Sequence, residues 1–297
     1  MEESALEISH IQKNFPGTMA LDDISFTVSK GSIHGFLGPN GAGKSTTMKI
    51  ITGILQPCSG ELTINSERSI GFLPENPPLY KNMDVRSYLD FVKSIYKSAI
   101  SVDSVLEKCG LLQVSSRLIR NLSKGYQQRV GIAQALVVDP EIIILDEPTV
   151  GLDPHAIKEI RELILSLKND HTILFSTHQL YEASNLCDEV TIIHKGRILK
   201  TGKIEDVKKD LVTGQVIKVE LDSVLTDEDH KELMSSFEIS SIEYSGAFVI
   251  IYTKNDEDIR GKLNKFLMDK NYNVNSLSNV EIDLEQIFER VTGSTDA

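Results

Sequence analysis

A glycine-rich loop between an apolar run and a helical run constrains the fold of this chain more than any other feature. The run IHGFL is followed by GPNGAGKST and then by the helical pattern TMKIITGIL. This is the pattern GxxxxGK[ST] in the context of strand, loop and helix. Glycines let the backbone approach phosphate oxygens, and the N–H groups of the loop and helix point at the anion. The loop predicts a nucleotide-phosphate site formed by Gly38, Pro39, Asn40, Gly41, Ala42, Gly43, Lys44, Ser45 and Thr46.

Two residue types in and after this loop assign the chemistry. Lys44 is expected to reach the β- and γ-phosphates, and the Ser45 hydroxyl to bind Mg²⁺. The segment EIIILDEP is an apolar strand that carries Asp146 and Glu147 to its C-terminal end, where ligands bind in open α/β sheets. Asp146 is expected to hold Mg²⁺ through water, and Glu147 to orient and deprotonate the attacking water. The pattern therefore favours nucleotide hydrolysis.

The first 212 residues alternate short strand-like runs with longer helical patterns, which is typical of an α/β domain. The runs IIIL and TILF lack polar alternation, as expected for strands buried on both faces of a parallel sheet. Between residues 75 and 121 the pattern becomes helical, because Tyr88, Phe91, Val92 and Ile95 are spaced for one helix face. We predict an α/β domain over 1–212, a helical subdomain inserted at about 76–138, and strands at 6–11, 24–28, 33–37, 70–72, 142–145, 173–176 and 190–194.

After residue 212 both the pattern and the charge change. Residues 213–297 carry 8 basic and 17 acidic side chains, within a chain of net charge −12. Such a surface argues against nucleic-acid binding, which needs clustered Lys and Arg. The predicted order is βαββαβ, with a hairpin turn at Ser245-Gly246 and a further helix at 284–291. This order matches the ferredoxin-like split βαβ unit. We predict a small α+β accessory or regulatory domain over 213–297, without a catalytic role.

The sequence gives little indication of a membrane-spanning segment, a signal peptide or a disulfide or metal site. The longest unbroken apolar run has six residues, whereas a membrane-spanning helix needs about 20. The start MEESALEISH lacks the basic and apolar regions of a signal peptide. Cys58, Cys109 and Cys187 are odd in number and have no metal-like spacing. We expect reduced thiols and a chain that stays where it is made and does not cross a bilayer by itself.

The segment LSKGYQQRV, residues 122–130, resembles the LSGGQ signature of ATP-binding cassette (ABC) proteins. Taken alone, Ser123 is a helix N-cap, but it stands 23 residues before Asp146, in the order usual for the family. Phe15 resembles the aromatic residue on which adenine stacks. Residues 150–153, ending in Asp153, resemble the D-loop, and His178 resembles the switch histidine.

The resemblance covers roughly residues 5–205 and implies a P-loop NTPase fold of the ABC cassette type. It implies that two cassettes face each other head to tail, so that Ser123 and Gly125 of one complete the ATP site of the other. The partner cassette would be a second copy of the chain or a paralogue. Glu147 and His178 would be the catalytic residues, and ATP and Mg²⁺ the ligands. A separate membrane permease would hold the chain on the inner, cytoplasmic face of the membrane.

Two departures from the family pattern stand out. Glu75 occupies the place of the usual Q-loop glutamine, where its carboxylate could still bind Mg²⁺. Lys124 and Tyr126 replace a glycine and a glutamine of the signature, while Ser123 and Gly125 remain. The segments LPE, LSKGY and LEQIFERVT are similar to those of ATPase subunits of ABC-2 type bacterial exporters, so export is the expected direction.

Two other classes stay open on the sequence. A soluble ABC ATPase of DNA repair would need a long coiled coil between its motifs, and Lys44 and Ser123 are only 79 residues apart. Translation-type ABC factors typically carry two cassettes and basic surfaces, whereas this chain has one cassette and is acidic. A P-loop kinase or GTPase is the third alternative, and a GTPase would need a base-reading motif that we do not find.

Overall fold

A computed structural model of the chain describes residues 3–211, 215–246, 248–255 and 257–280. The chain divides into two compact units, Met1–Ile204 and Glu205–Ala297. The sequence pattern put the boundary after residue 212. The difference arises because the helix Ile204–Leu211 follows the preceding strand directly, so no change in sequence pattern marks the point where the contacts divide.

The first unit alternates strands and helices. In chain order they are β1 (Ser4–Phe15), β2 (Thr18–Ser29), β3 (Ile33–Leu37), α1 (Lys44–Ile51), β4 (Ser59–Ile64), β5 (Gly71–Leu73), α2 (Val85–Tyr96), α3 (Val102–Lys108), α4 (Lys124–Leu136), β6 (Ile142–Asp146), α5 (Pro154–Leu167), β7 (Thr172–Thr177), α6 (Leu180–Leu186), β8 (Glu189–His194) and β9 (Arg197–Lys203), and α7 (Ile204–Leu211) follows them.

A six-stranded sheet in the order β5-β6-β7-β3-β8-β9 forms the centre of this unit. Its first five strands are parallel, and β9 runs antiparallel to β8. Every residue of β3, β6 and β7 is buried, which agrees with their continuous apolar runs. Because parallel strands end at the same edge, the segments that follow β3, β6 and β7 converge there.

A second sheet, in the order β2-β1-β4, is antiparallel. The sequence predicted β1 and β2 as shorter strands and missed β4 and β9. Both missed strands lie at sheet edges and are largely exposed, so neither shows the apolar pattern of a buried strand. Their pairing with a neighbour, rather than their own composition, makes them strands.

The helices α2, α3 and α4 lie within the stretch predicted as a helical subdomain. Asp84 caps α2 by accepting a hydrogen bond from the Ser87 N–H, and this bond holds the pKa of the Asp84 carboxyl below its ordinary value. Of the apolar face predicted for α2, Tyr88 and Val92 are buried, but Phe91 and Ile95 are 40% and 58% exposed. The predicted face is therefore only half covered.

The second unit has its own core. Thr226 caps the helix Asp227–Ser236, and three acidic residues lie in that helix's first turn, where the helix dipole favours them. The apolar core includes Ile217, Leu233, Ile251 and Leu263. In chain order the elements are β10 (Val216–Leu221), α8 (Asp227–Ser236), β11 (Ile239–Ser245), β12 (Phe248–Thr253), α9 (Arg260–Asp269) and β13 (Val274–Val280).

The sheet of the second unit is antiparallel and has the order β11-β12-β10-β13. Its element order is the βαββαβ expected for a ferredoxin-like unit. Ser245 pairs with Phe248, so Ser245 belongs to β11 and the hairpin turn begins one residue later than predicted. The helix predicted at 284–291 lies outside the described residues.

Candidate nucleotide-binding site

A cavity of about 400 Å³ lies where β3 passes into α1, at the edge where the parallel strands end. The loop between them and the first turn of α1 together supply almost half of its lining, and the rest comes from the start of β2 and from the segments after β5, β6 and β7. Ligands of open α/β sheets bind at this edge. The residues that line the cavity are Thr18, Met19, Ala20, Asn40, Gly41, Gly43, Lys44, Ser45, Thr46, Glu75, Glu147, Val150 and His178.

The loop conformation depends on glycine. Gly43 has a φ of 113°, a conformation that other residues rarely adopt. A Cβ atom there would lie 2.7 Å from Leu21 Cδ2 and 2.9 Å from the Ala20 carbonyl oxygen. No side chain caps α1, and its first turn holds no acidic residue. The N–H groups and the positive end of the helix dipole are therefore available to an anion.

Lys44 is buried at the base of the cavity. Its ammonium donates hydrogen bonds to the Gly38 carbonyl at 2.6 Å and the Pro39 carbonyl at 3.2 Å. Glu147 Oε1 lies 3.1 Å from Lys44 Nζ, and Glu147 Oε2 lies 2.9 Å from His178 Nδ1. The Glu147 carboxylate thus contacts both Lys44 and His178, although the three predicted site residues come from three separate segments.

Ser176 hydrogen-bonds to both acidic residues at the end of β6, to the carboxylate of Asp146 and to the backbone of Glu147. The Ser176 hydroxyl donates to Asp146 Oδ1 at 2.6 Å and accepts a hydrogen bond from the Glu147 N–H at 3.0 Å. Glu147 has a φ of 49°, a left-handed conformation that costs free energy in a residue with a Cβ. This backbone turn lets the two adjacent carboxylates serve different positions, since Asp146 is 2% exposed and Glu147 faces the cavity.

The oxygen atoms near the loop fit a Mg²⁺–nucleotide. Mg²⁺ prefers oxygen ligands and is usually held by one or two carboxylates together with substrate phosphates and water. Ser45 and Glu75 line the cavity, and Asp146, which ends β6, directly precedes the lining residue Glu147. Among the described residues there is no cluster of three or more His, Cys, Asp and Glu side chains that could hold a metal by themselves.

The signature residues do not line this cavity. Ser123 caps α4 by accepting a hydrogen bond from the Tyr126 N–H, and Asp153 caps α5 by accepting one from the Ala156 N–H. A Cβ atom on Gly125 would lie 2.9 Å from that of Ala156, so glycine lets the two helix starts approach closely. Lys124 Nζ donates to the Val150 carbonyl at 3.0 Å. The signature and the D-loop therefore form one surface.

Phe15 also lies outside the cavity lining. It is 41% exposed at the end of β1, and Lys13 Nζ lies 5.5 Å from the centre of its ring. Thr18 pairs with Phe15 across the turn and does line the cavity. The role of Phe15 in stacking on adenine thus stays a prediction.

Sequence reasoning missed a group of buried hydroxyls and one carboxylate behind the site. Thr149 and Thr177 both donate hydrogen bonds to Glu182, which is fully buried. The available signal was the polar end of an otherwise apolar strand, TILFST, since two hydroxyls at a buried strand end need partners.

The fold and the site together define a P-loop nucleoside triphosphatase. The phosphate loop follows a parallel strand, a buried lysine lies in it, and a carboxylate pair ends a strand of the same sheet. This combination is the arrangement of P-loop and Walker B residues in that class.

Comparison with known proteins identifies the family. Residues 21–150 match the family model of the ABC transporter. The chain is 34% identical to the bacitracin transport ATP-binding protein BcrA of Bacillus licheniformis, over 97% of each chain. It is 32% identical to the Nod factor export ATP-binding protein I of Rhizobium sp., over 89% of this chain and 90% of that one.

A solved structure shows the same architecture. CbiO1 from Clostridium perfringens, part of the ABC transporter complex CbiONQ, is 29% identical and has a TM-score of 0.63, covering 70% of this chain and 92% of its own. The chain belongs to the ABC transporter ATP-binding proteins and is an ATPase subunit. Across the parts of the chain that the structure describes, no helix is both long and apolar enough to span a bilayer.

Proposed function

We propose that this chain hydrolyses ATP at the loop cavity with Glu147 as the general base and drives a separate membrane subunit that exports a substrate. The observation that carries the proposal is the contact of Glu147 with Lys44 on one oxygen and His178 on the other. A base must lie within hydrogen-bond reach of its proton donor and be held in orientation. Both neighbours of Glu147 supply that orientation.

Each residue has a role in the hydrolysis. The loop N–H groups and Lys44 bind the β- and γ-phosphates of ATP. His178 Nδ1–H, donated to Glu147 Oε2, orients the carboxylate, which takes the proton of the attacking water. His178 would also contact the γ-phosphate. Mg²⁺, held by Ser45, Asp146 and Glu75, would neutralise the charge that develops on the phosphate oxygens.

The surface formed by the signature and the D-loop supports a head-to-tail dimer. Ser123, Gly125 and Asp153 lie away from the cavity of their own chain, although the family resemblance assigns them to ATP binding. The N-terminus of α4 can bind a phosphate only if another cavity faces it. A second copy of the chain, or a paralogous cassette, supplies that cavity. Closure around two ATP molecules is then the step that does work.

The helical part of the cassette offers a surface for the membrane subunit. Tyr80, Phe91, Ile95 and Tyr96 are between 40% and 58% exposed, and the Tyr80 ring lies 5.6 Å from the Phe91 ring. Exposed apolar patches of this kind mark interaction sites. The relatives are named for transport and export, which favours a transporter over a soluble ABC ATPase of DNA repair or translation. The chain would act at the inner face of the membrane through its permease.

The second unit has no predicted catalytic residue in its described part. We assign it an accessory or regulatory role. A whole-length relative matches 97% of this chain, so the similarity extends into this unit.

Mixing two inactive variants tests the proposal. Glu147→Gln removes the base, and Ser123→Arg blocks the signature. If each site takes Glu147 from one chain and Ser123 from the other, a mixed dimer has one intact site. Random pairing makes half of the dimers mixed, so steady-state phosphate release should recover to about a quarter of the unmutated rate.

The control is a chain that carries both substitutions, mixed with either single variant. No pairing of these chains has an intact site, so no recovery is expected. If the two single variants also fail to recover when mixed, Ser123 serves its own chain and the head-to-tail arrangement is wrong. If Glu147→Gln alone hydrolyses ATP normally, Glu147 is not the base.

A further inference from the structure

One buried carboxylate of the cassette lies outside the predicted site. Among the described residues, three carboxylates are buried: Asp146, Glu147 and Glu182. The first two are the predicted Mg²⁺ and base residues. Glu182 lies on α6 with no exposed surface. Burying a carboxylate costs free energy unless it is paired and hydrogen-bonded, so the partners of Glu182 indicate what it does.

The partners of Glu182 come from both strand exits that carry the predicted catalytic pair. Glu182 Oε2 accepts a hydrogen bond from Thr149 Oγ1 at 2.8 Å and another from Thr177 Oγ1 at 3.0 Å. Thr149 stands two residues after Glu147, and Thr177 immediately precedes His178. One oxygen atom therefore joins the loop that holds the base to the strand end that holds the histidine.

The same contacts restrain the backbone on either side of the predicted pair. The Val150 N–H donates to the Glu147 carbonyl at 3.2 Å, which makes the base part of a tight turn that ends beside Thr149. The Thr177 hydroxyl also accepts a hydrogen bond from the Gln179 N–H at 3.0 Å. His178 thus lies between Thr177 and Gln179, which are joined through the Thr177 hydroxyl. The same hydroxyl donates to Glu182.

The other oxygen of Glu182 faces a cation. Arg161 Nη2 of α5 lies 3.4 Å from Glu182 Oε1, and the Arg161 guanidinium lies 5.2 Å from the centre of the Tyr181 ring. The arginine neutralises the carboxylate and stacks on the residue next to it. Since α5 begins at the D-loop, Glu182 connects three segments: the turn after β6, the end of β7 and the helix that follows the D-loop.

An apolar side chain could fill the same volume without the cost of burying a charge. A carboxylate differs from an apolar side chain because it accepts directional hydrogen bonds. These bonds fix the positions of the two threonine hydroxyls. We propose that Glu182 is a positioning residue for ATP hydrolysis, which holds Glu147 and His178 at their mutual distance through Thr149 and Thr177. This inference rests on the proposed roles of Glu147 and His178.

Matched substitutions at the threonines test the inference. Thr149→Val and Thr177→Val keep the side-chain shape and remove the hydroxyl, whereas Thr149→Ser and Thr177→Ser keep the hydroxyl. Displacement of a catalytic group by about 1 Å can cost roughly 10²-fold in rate. We expect kcat to fall roughly 10- to 100-fold in the valine variants, with the KM for ATP within about threefold of the unmutated value, since uniform binding is untouched. The serine variants should keep kcat within about threefold.

A double variant separates positioning from simple structural support. If Thr149 acts through Glu147, adding Thr149→Val to Glu147→Gln should slow hydrolysis no further, because the group being positioned is already gone. Glu182→Gln, which keeps the volume and removes the charge, should lower kcat in the same way as the valine variants.

Three results would overturn the inference. One is an unchanged kcat in both valine variants. Another is an equal loss in the serine and valine variants. The third is a double variant in which the fold-decrease in kcat equals the product of the fold-decreases in the two single variants. The serine variants fold as conservative replacements even if Glu182→Gln does not. Normal hydrolysis by Glu147→Gln itself would instead contradict the proposed function, so the two failures are distinguishable.

Discussion

The two units of the chain treat buried polar groups differently. Within the described residues, the first unit buries Lys44, Asp146, Glu147 and Glu182 together with several hydroxyls, and most of them meet at one edge of the parallel sheet. The second unit buries an apolar core, and Thr253 is the one polar residue among those described there that is buried.

This difference indicates that the first unit carries the catalytic groups and that the second has a non-catalytic role. A buried charge costs several kcal/mol before its partners compensate for it. Burying four charged side chains therefore lowers the stability of the first unit in favour of its site. The second unit avoids that cost and is expected to contribute stability, regulation or contacts without catalysis. Mutations should therefore change rate in the first unit and folding in the second, and the following experiments test that expectation.

The largest effect should come from the base in the first unit. Glu147→Gln keeps the shape of the side chain and its hydrogen bond from His178, but it cannot take a proton. ATP hydrolysis should fall roughly 10²- to 10⁴-fold while ATP still binds. Phosphate release and fluorescent-ATP titration measure the two quantities. The exposed Glu162 of α5 is the matched control. A similar loss of ATPase activity in Glu162→Gln would mean that the effect does not depend on the position of Glu147.

Removal of the loop lysine should weaken binding. Lys44→Ala deletes a charge-assisted contact worth about 1.5–3 kcal/mol, which corresponds to roughly 10- to 150-fold in ATP affinity. It also leaves Glu147 without its cation at 3.1 Å. Equilibrium titration with fluorescent ATP measures the affinity, and Lys158→Ala, on an exposed side chain, is the control. An unchanged affinity in Lys44→Ala would refute the phosphate-loop assignment.

In the second unit we expect the opposite pattern. Leu263 is fully buried on α9, so Leu263→Ala should lower the free energy of unfolding of this unit by about 2–5 kcal/mol. The ATPase rate at 25 °C should stay unchanged. Met268 on the same helix is 62% exposed, and Met268→Ala should change stability by less than about 0.5 kcal/mol. Denaturant unfolding followed by circular dichroism measures both, and a parallel loss of ATPase activity would contradict the separation of roles.

A smaller effect is expected at the cavity rim. Glu75→Gln replaces a carboxylate with an amide that still offers an oxygen to Mg²⁺. Because Glu75 lines the same cavity as Glu147, the change removes one negative charge near the triphosphate. We expect the ATPase rate to stay within about tenfold. Complete loss of activity over a range of Mg²⁺ concentrations would show that the carboxylate itself is required.

The smallest effect concerns the thiols, all three of which belong to the first unit. Burial raises the pKa of Cys109 to about 12 and that of Cys187 well above its ordinary value, while Cys58 is exposed. Since the thiolate is the reactive form, a thiol reagent at pH 7.5 should label one site rapidly and two slowly. Leu263→Ala should leave the two slow rates unchanged, because they report opening of the first unit alone. Faster labelling of Cys109 or Cys187 in that variant would show that the two units unfold together.

Most of the first unit's strands could be read from the sequence because the information is local. Apolar runs such as IIIL mark buried parallel strands, and the glycine loop can adopt its conformation only with glycine at Gly43. The edge strands β4 and β9 could not be read in this way. They are strands because a neighbour pairs with them, and their exposed side chains carry no signal of that pairing.

The helical stretch shows a similar limit. The spacing of Tyr88, Phe91, Val92 and Ile95 indicated a helix face and gave the right element, but half of that face is exposed. Periodicity reports which residues share a side of a helix. It does not report whether another element covers that side, because this depends on the packing of the whole unit.

By itself the sequence determined the loop, the acidic pair, the signature and the family they resemble, since each is a short pattern whose chemistry follows from its residue types. Only the tertiary structure decided that Glu147 lies between Lys44 and His178, that Ser176 hydrogen-bonds to both Asp146 and the Glu147 backbone, and that Glu182 joins Thr149 to Thr177. These contacts connect residues that are far apart in the chain. The sheet brings them together because its parallel strands end at one edge, and burial then favours hydrogen bonds among the polar groups that meet there.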